Sequence, residues 1–129
     1  MTFRAATVAI LVLLPAAAPA LAHHSVSGQF DPASLVTLKG TVSKVDWMNP
    51  HIYIHLDVTG PDGTVTTWAL STLPTAMMRR AGLSKDSFIG NSGETLTVEA
   101  MPARDGTKHL AWITKVTFAD GHYYQLSGQ

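Results

Sequence analysis

The sequence predicts an all-β fold, a small five-stranded OB-like Greek-key barrel with one short helix between strands 3 and 4. Five segments of the chain alternate apolar and polar residues, which is the pattern of strands that bury one face. Asp-Gly and Asn-Pro pairs lie between these segments, where tight turns are expected. The single predicted helix follows the third strand, which is the element order of the OB-fold. Another small sandwich or roll with the same number of strands is the alternative.

The first two strands are predicted on either side of an Asn49-Pro50 turn. The first begins at Val36, and its apolar residues change parity after Val42, which predicts a β-bulge near Ser43-Lys44. The second strand runs from Ile52 to Val58 and has the clearest alternation in the chain. Its inward face is predicted to be aliphatic, and its other face carries His51, Tyr53, His55 and Asp57.

The remaining elements follow from turn and capping signals. A third strand is predicted over 64–70 around Trp68, and a helix over 74–81, with Thr72 as its cap and Gly82 as its stop. Two further strands are predicted over 95–101 and 111–118, with a short extended piece over 123–126. Residues 23–35 are predicted to be an irregular N-terminal arm, and residues 36–129 form the barrel domain. The interior is expected to contain Ile52, Ile54, Leu56, Val98 and Ile113.

Residues 1–22 have the pattern of a cleavable signal peptide. Arg4 precedes an apolar run that ends before Pro15, and Ala20-Leu21-Ala22 places small residues at the cleavage positions. An uncleaved membrane anchor is the alternative, but a spanning helix needs about 20 apolar residues without such breaks. We therefore expect cleavage after Ala22, a mature chain that begins at His23, no membrane span in that mature form, and a periplasmic or secreted location.

Composition excludes several classes of function. The chain has 9 Lys and Arg against 9 Asp and Glu, so it lacks the excess of basic charge on which nucleic-acid binding depends. It contains no cysteine, which excludes disulfides, thiol catalysis and thiolate metal sites. No Gly-x-Ser-x-Gly, His-Glu-x-x-His or phosphate-binding glycine motif is present. We assign no catalytic residue, and we favour a binding role over an enzymatic one.

Several segments resemble a family of small secreted bacterial proteins of unknown function. The most distinctive are the His23-His24-Ser25 start and the Asn49-Pro50-His51 turn, and the likeness covers essentially all of the chain after the leader. The sequence departs from the family pattern at Leu70-Ser71, where an acidic residue is expected soon after Trp68. The resemblance implies no established activity.

The histidines at the start of the mature chain suggest a metal site. Cleavage after Ala22 gives His23 two nitrogen donors, its α-amine and its ring Nδ1, which can chelate one ion. Nitrogen donors of this kind favour copper(II), and the α-amine, with a pKa of about 7.7–8.0, releases its proton readily. A second imidazole from His24, His51 or His55 would complete a histidine brace. A His-rich arm that binds nothing specific is the alternative.

Strand geometry limits which histidines can share an ion. His51 and His55 lie four residues apart on one strand face, roughly 13 Å, so both cannot bind one ion directly. We choose His51 as the second ligand because Pro50 restrains the turn before it. A backbone hydrogen bond of His51 is the alternative, and His55 is expected to be solvated or packed beside Tyr53.

Two other functions remain open at this stage. One is a metal-independent binding module that grips a small ligand, sugar or peptide on an outer face carrying Tyr53, His55 and Trp68, since OB-folds bind ligands on such a face. The other, ranked last, is a copper oxidase or oxygenase that uses the same brace. A His23 close to another histidine favours the metal site, and an open aromatic shelf favours the binding module.

Overall fold

The computed structural model of the protein describes residues 25–90 and 92–126. The predicted leader, its cleavage site, His23 and His24 lie outside the described residues. Three short helices and six strands follow one another in the described part of the chain: α1 (Val26–Gln29), β1 (Val36–Asp46), β2 (Ile52–Thr59), β3 (Val65–Thr72), α2 (Thr75–Arg80), α3 (Lys85–Ile89), β4 (Thr95–Pro102), β5 (Leu110–Thr117) and β6 (Tyr123–Gln125).

Five of the strands form a closed barrel, which confirms the predicted fold class. Strands β3, β2, β1, β4 and β5 are neighbours in that order, and a parallel pairing of β3 with β5 closes the ring. All other pairings in the barrel are antiparallel. Strand β6 pairs with the end of β5 and extends the wall there. This order, with the helices between β3 and β4, is that of the OB-fold.

The first strand bends as the parity change predicts. Val42 lies opposite Leu56 but Lys44 lies opposite His55, so Ser43 is the extra residue of a β-bulge. Gly40 lies near this bend, where β1 passes from β4 to β2. A Cβ atom at Gly40 would overlap the carbonyl oxygen of Asp57, and glycine is therefore required for the close approach of the two strands.

The barrel interior is the main hydrophobic core. Ile52, Ile54, Leu56, Val98 and Ile113, the residues predicted for it, are all buried. Helices α2 and α3 add Met78 and Phe88, which are fully buried and cover the interior between β3 and β4. A second, smaller cluster forms around Phe30, Met101 and Trp112.

The helices differ from the prediction in three places. Residues 26–29 form the short helix α1 in the arm predicted to be irregular, because the Ser25 side chain accepts from the amide of Gly28. Helix α2 begins after Pro74, while Thr72 is the buried last residue of β3 and does not cap it. Helix α3 was not predicted from the sequence; its capping box uses Ser84 and Ser87. Within the described residues, no helix is long and apolar enough to cross a membrane.

Candidate functional site

Trp112 is the centre of the smaller cluster, on the outer wall of the barrel. Ala111 and Ile113 belong to the interior core, so the alternation of a strand turns the Trp112 indole outward. It is nevertheless only 3% exposed, because the N-terminal arm covers it. The Phe30 ring lies 5.9 Å from the indole, centre to centre, and Val26 packs against the same cluster.

His51 contacts the same indole. Its ring centre lies 6.0 Å from that of Trp112, and the two rings meet edge to face at 81°. The His51 residue is exposed and lies just before β2, after a cis peptide bond between Asn49 and Pro50. Trp112 therefore touches both the arm and His51, and the structure brings this predicted ligand to the edge of the surface that the arm covers.

The turn that precedes His51 is held against α2 by hydrogen bonds to the Asn49 side chain. The Asn49 carbonyl oxygen Oδ1 accepts hydrogen bonds from the backbone amide of Thr75, at 3.2 Å, and from its hydroxyl, at 3.0 Å. Because Pro74 provides no side-chain cap, Asn49 satisfies an N–H group at the start of α2 from a distant part of the sequence. This contact restrains the backbone two residues before His51.

The arm is held on the barrel by contacts with the end of β4 and the loop that follows it. The amide of Asp31 donates to the carbonyl of Pro102, and the amide of Arg104 donates to that of Gln29, both at 2.9 Å. The Arg104 guanidinium donates from Nε to the carbonyl of Ser27 at 2.9 Å, and its Nη2 lies 3.5 Å from Asp31 Oδ1. Arg104 is thus joined to both ends of the arm's helical turn.

The Asp31 carboxylate also organises the chain that leaves the arm. It accepts from the hydroxyl of Ser34 and from the amide of Ala33. These two hydrogen bonds, and then the positive charge of Arg104, lower the pKa of Asp31 below its usual value. The group therefore stays ionised to lower pH than a free aspartate, and its contact with Arg104 remains an ion pair.

His55 is engaged by a neighbouring carboxylate. Its Nε2 lies 2.9 Å from Oδ2 of Asp46 on β1, and Lys44 lies 2.8 Å from Oδ1 of the same group. The hydrogen bond from Lys44, followed by that from His55, lowers the pKa of Asp46. Tyr53 lies opposite Asp46 in the strand register and is half-buried. Tyr53, His55 and Asp46 thus form one polar patch on the outer wall.

Trp68 lies apart from that patch. It pairs in register with Leu56, which is fully buried in the interior, so Trp68 is on the opposite face of the sheet from Tyr53 and His55. Its ring packs edge to face against His109 at 5.2 Å. The structure therefore does not bring the three residues of the predicted aromatic face together.

Three residues that form contacts at this site were not identified as site residues from the sequence. Phe30 and Arg104 fasten the arm, and Trp112 joins the arm to His51. Only Trp112 had a sequence signal: it lies in the unbroken apolar run 110–113, which is typical of a strand covered on both faces. Its indole Nε1 is buried and has no hydrogen-bond partner in the described part of the chain.

No metal cluster is formed by the described residues alone. Residues 25–90 and 92–126 contain no group of three His, Asp or Glu side chains placed to hold an ion. His51 is the one member of the predicted set, His23, His24 and His51, that lies within those ranges.

These features define a class of protein: a small closed five-stranded barrel whose N-terminal arm covers an indole on the outer wall. Residues 10–111 match the family model DUF6152, described as a family of unknown function, and the chain belongs to that family. The comparison with curated proteins and the comparison with solved structures gave no match.

Proposed function

We propose that the protein is an exported, periplasmic metal-binding protein that holds copper through an N-terminal His23 and through His51. Cleavage of the leader after Ala22 supplies the free α-amine of His23, and His24 is a further nitrogen donor beside it. The proposal assigns no catalytic step. It rests on one observation, the position of the arm relative to His51.

That observation is the shared contact with Trp112. Phe30 contacts the indole, Val26 packs against the cluster that contains both rings, and His51 contacts the same indole. His23 is three positions before Val26 in the sequence, and three steps of extended chain span at most about 11 Å. An extended chain of that length supports the proposal that His23 reaches the ion held by His51. The Asn49 contact with Thr75 restrains the turn at His51 itself.

The donor set suits copper(II). The amine and Nδ1 of His23 together with one nitrogen of His51 give three nitrogen ligands, and such ligands favour copper(II) among the first-row divalent ions. His55 is a poorer second ligand, because its Nε2 already lies 2.9 Å from a carboxylate of Asp46. The exposed His51 has no carboxylate partner among residues 25–90 and 92–126, so it is available to an ion.

Copper binding to the mature protein is the test. The sample is the mature chain, with its start at His23 verified by mass spectrometry. It should bind copper(II) at a ratio of about one ion per chain at pH 7. Binding should weaken as pH falls, because protons compete for the amine and imidazole nitrogens. His51→Phe keeps a ring against Trp112 but removes the second ligand. One residue added before His23 converts the amine into an amide. Each change should weaken binding at least about tenfold, or 1.4 kcal/mol.

The matched control is His109→Asn. His109 is exposed and has φ 57°, a conformation that asparagine tolerates, so this variant removes an imidazole without straining the backbone. Its copper affinity should equal that of the unmodified protein. Equal binding by all four proteins, or no binding above background, would show that the brace does not form.

A second candidate follows from the polar patch on the outer wall. Tyr53 lies beside the Asp46–His55 pair, which gives an aromatic ring next to fixed hydrogen-bonding groups, as a small ligand, sugar or peptide requires. This metal-independent binding function takes precedence if copper does not bind. Titration of a panel of oligosaccharides and short peptides, with Tyr53→Ala as the control, tests it; binding unaffected by that substitution would exclude the patch.

A further inference from the structure

We propose that the open edge of β1, over residues 42–46, is a docking site for an extended acidic peptide segment, which adds a strand to the barrel there. The site is the groove between this edge and α3. It contains none of the proposed copper ligands, so the inference is independent of the proposed function and each can fail alone.

The second half of β1 has a strand on one side only. Residues 41–46 pair with β2, whereas β4 begins at Thr95, opposite Thr41, and leaves the other side of residues 42–46 without a neighbouring strand. Within the described ranges, these five residues form no backbone hydrogen bond outside the strand ladders. Because alternate residues of a strand direct their amide and carbonyl groups to opposite sides, the edge presents such groups to the groove, where an added extended chain can pair with them.

The groove beside this edge has the size and the lining of a binding site. Its volume is about 510 Å³, and ligand sites typically have about 300–1,000 Å³. Ile89 of α3 is 42% exposed, so it offers an apolar contact to a side chain of the added strand. The lining combines apolar, hydroxyl and charged groups from β1, from α3 and from the loop after α3: Val42, Ser43, Lys44, Val45, Asp46, Lys85, Ile89 and Ser92.

The charges in the groove favour an acidic segment. Lys44 and Lys85 line it against one carboxylate, that of Asp46. This carboxylate is shared, because it lies 2.8 Å from Lys44 Nζ and 2.9 Å from His55 Nε2. Lys85 has no ion pair among the residues that the structure describes. A glutamate or aspartate on the added strand would therefore meet a cation that no carboxylate of the described chain neutralises.

A second copy of the chain is the other natural occupant of an open edge, and the same charges disfavour it. In a two-fold antiparallel pairing of residues 42–46 with their own copy, the central Lys44 would lie opposite the second Lys44. Like charges directly opposite each other are destabilising, and lysine on an edge strand commonly prevents such self-pairing. An acidic strand removes this conflict, so the observations favour a peptide partner over a dimer.

The experiment uses the mature protein and a blocked peptide of about six alternating valine and glutamate residues, which covers the edge at about 3.3 Å per residue. Amide chemical shifts and hydrogen exchange locate the bound peptide. We expect the largest shifts and slowed exchange within residues 42–46, and weaker binding as salt is added. The same peptide methylated at its backbone amides should not bind, because it cannot pair with the edge.

Lys85→Glu tests the charge preference, with Lys108→Glu as the matched control. Both lysines are exposed and both substitutions change the net charge equally, but Lys108 does not line the groove. Lys85→Glu should weaken binding of the glutamate peptide by about fivefold or more and should improve binding of a valine–lysine peptide. Lys108→Glu should change both affinities much less.

Several results would overturn the inference. They are the absence of peptide binding, equal effects of the two substitutions, equal binding of the methylated peptide, and shifts confined to residues outside the groove. Slow exchange of all five edge amides in the protein alone would show that the edge is already covered. Sedimentation would then identify the cover as a second copy, if the protein is a dimer, or as another segment of the same chain.

Discussion

Trp112 shows how a single buried side chain can connect two parts of a site. It is the residue that both the arm and His51 contact, and it is 3% exposed although it points away from the barrel interior. Its Nε1 donor lacks an acceptor among the residues described here. An unsatisfied buried donor costs about 1–3 kcal/mol. Ring contacts with Phe30 and His51 act in the opposite direction, because they stabilise the indole in this position.

Gly40 carries the most stringent steric constraint in the barrel. Gly40→Ala places a methyl group against the carbonyl of Asp57, which is backbone and cannot move without separating β1 from β2. We expect a loss of about 2 kcal/mol or more in the free energy of unfolding, as for other overpacked interiors. Urea denaturation measures it.

Lys39→Ala is the control for Gly40. Lys39 is the adjacent exposed residue of β1, and its truncation should change stability by no more than about 0.5 kcal/mol. A Gly40→Ala protein as stable as this control would mean that the two strands can separate at little cost.

Among the secondary-structure elements, α2 depends on a cap that its own sequence does not contain. The six-residue helix has Pro74 at its N-cap position, and Asn49 from the β1–β2 turn accepts from its first amide. The same contact restrains the turn that presents His51. Helix stability and the position of the proposed ligand are thereby coupled through one side-chain oxygen.

Asn49→Ala should destabilise the protein by about 1–2 kcal/mol, since it leaves the Thr75 amide and hydroxyl without their acceptor. Asn49→Asp retains an oxygen at this position and places a negative charge at a helix N-terminus, so its loss should be much smaller. Thermal denaturation of the two variants distinguishes them. Equal losses would show that the turn, rather than the cap, determines the effect.

The arm and α3 are the elements whose helical structure the helix propensities of their residues predict least well. Helix α1 has four residues and α3 has five, so neither is stable without contacts to the rest of the protein. Gly28 opposes helix formation locally, but the Ser25 side chain and the Arg104 contacts hold this turn in place. Phe88 has the corresponding role in α3, where its buried ring packs against Phe118.

Considered as a whole, the molecule should lose stability in acid. The pKa values of Asp31, Asp46, Asp62, Asp105 and Asp120 are all lowered, mainly by hydrogen bonds from neighbouring hydroxyl, amide, lysine and histidine groups. Unfolded aspartate titrates near pH 3.9. The same aspartates have lower pKa values in the folded protein, so the unfolded chain binds protons first as pH falls. The free energy of unfolding therefore decreases as pH falls through the unfolded pKa and then through the folded pKa values.

The urea midpoint should therefore fall steeply only below about pH 4. Asp46→Asn, which removes one of these carboxylates while keeping a hydrogen-bonding side chain, should make the acid dependence shallower. A midpoint that stays constant from pH 5 to well below pH 3 would contradict the lowered pKa values.

The barrel follows from local patterns in the sequence. Alternation places Ile52, Ile54 and Leu56 on one face of β2, and a period of two residues is dictated by strand geometry alone. The parity change after Val42 predicts the bulge for the same reason, and the order of strands and helices predicts the closed topology. These features need only neighbouring residues and the burial of one face per strand.

The composition of the candidate site was decided by tertiary structure. No local pattern indicates that Arg104 fastens an arm 77 positions earlier, that Asn49 caps a helix 26 positions away, or that Trp112 meets His51. Trp68 lies on the opposite face from His55 because its register with Leu56, and not its residue type, determines its direction. The sequence by itself determined which faces must be buried, since that is a property of each strand. Which side chains meet across the outer wall depends on barrel closure and strand register, which bring together residues far apart in the chain.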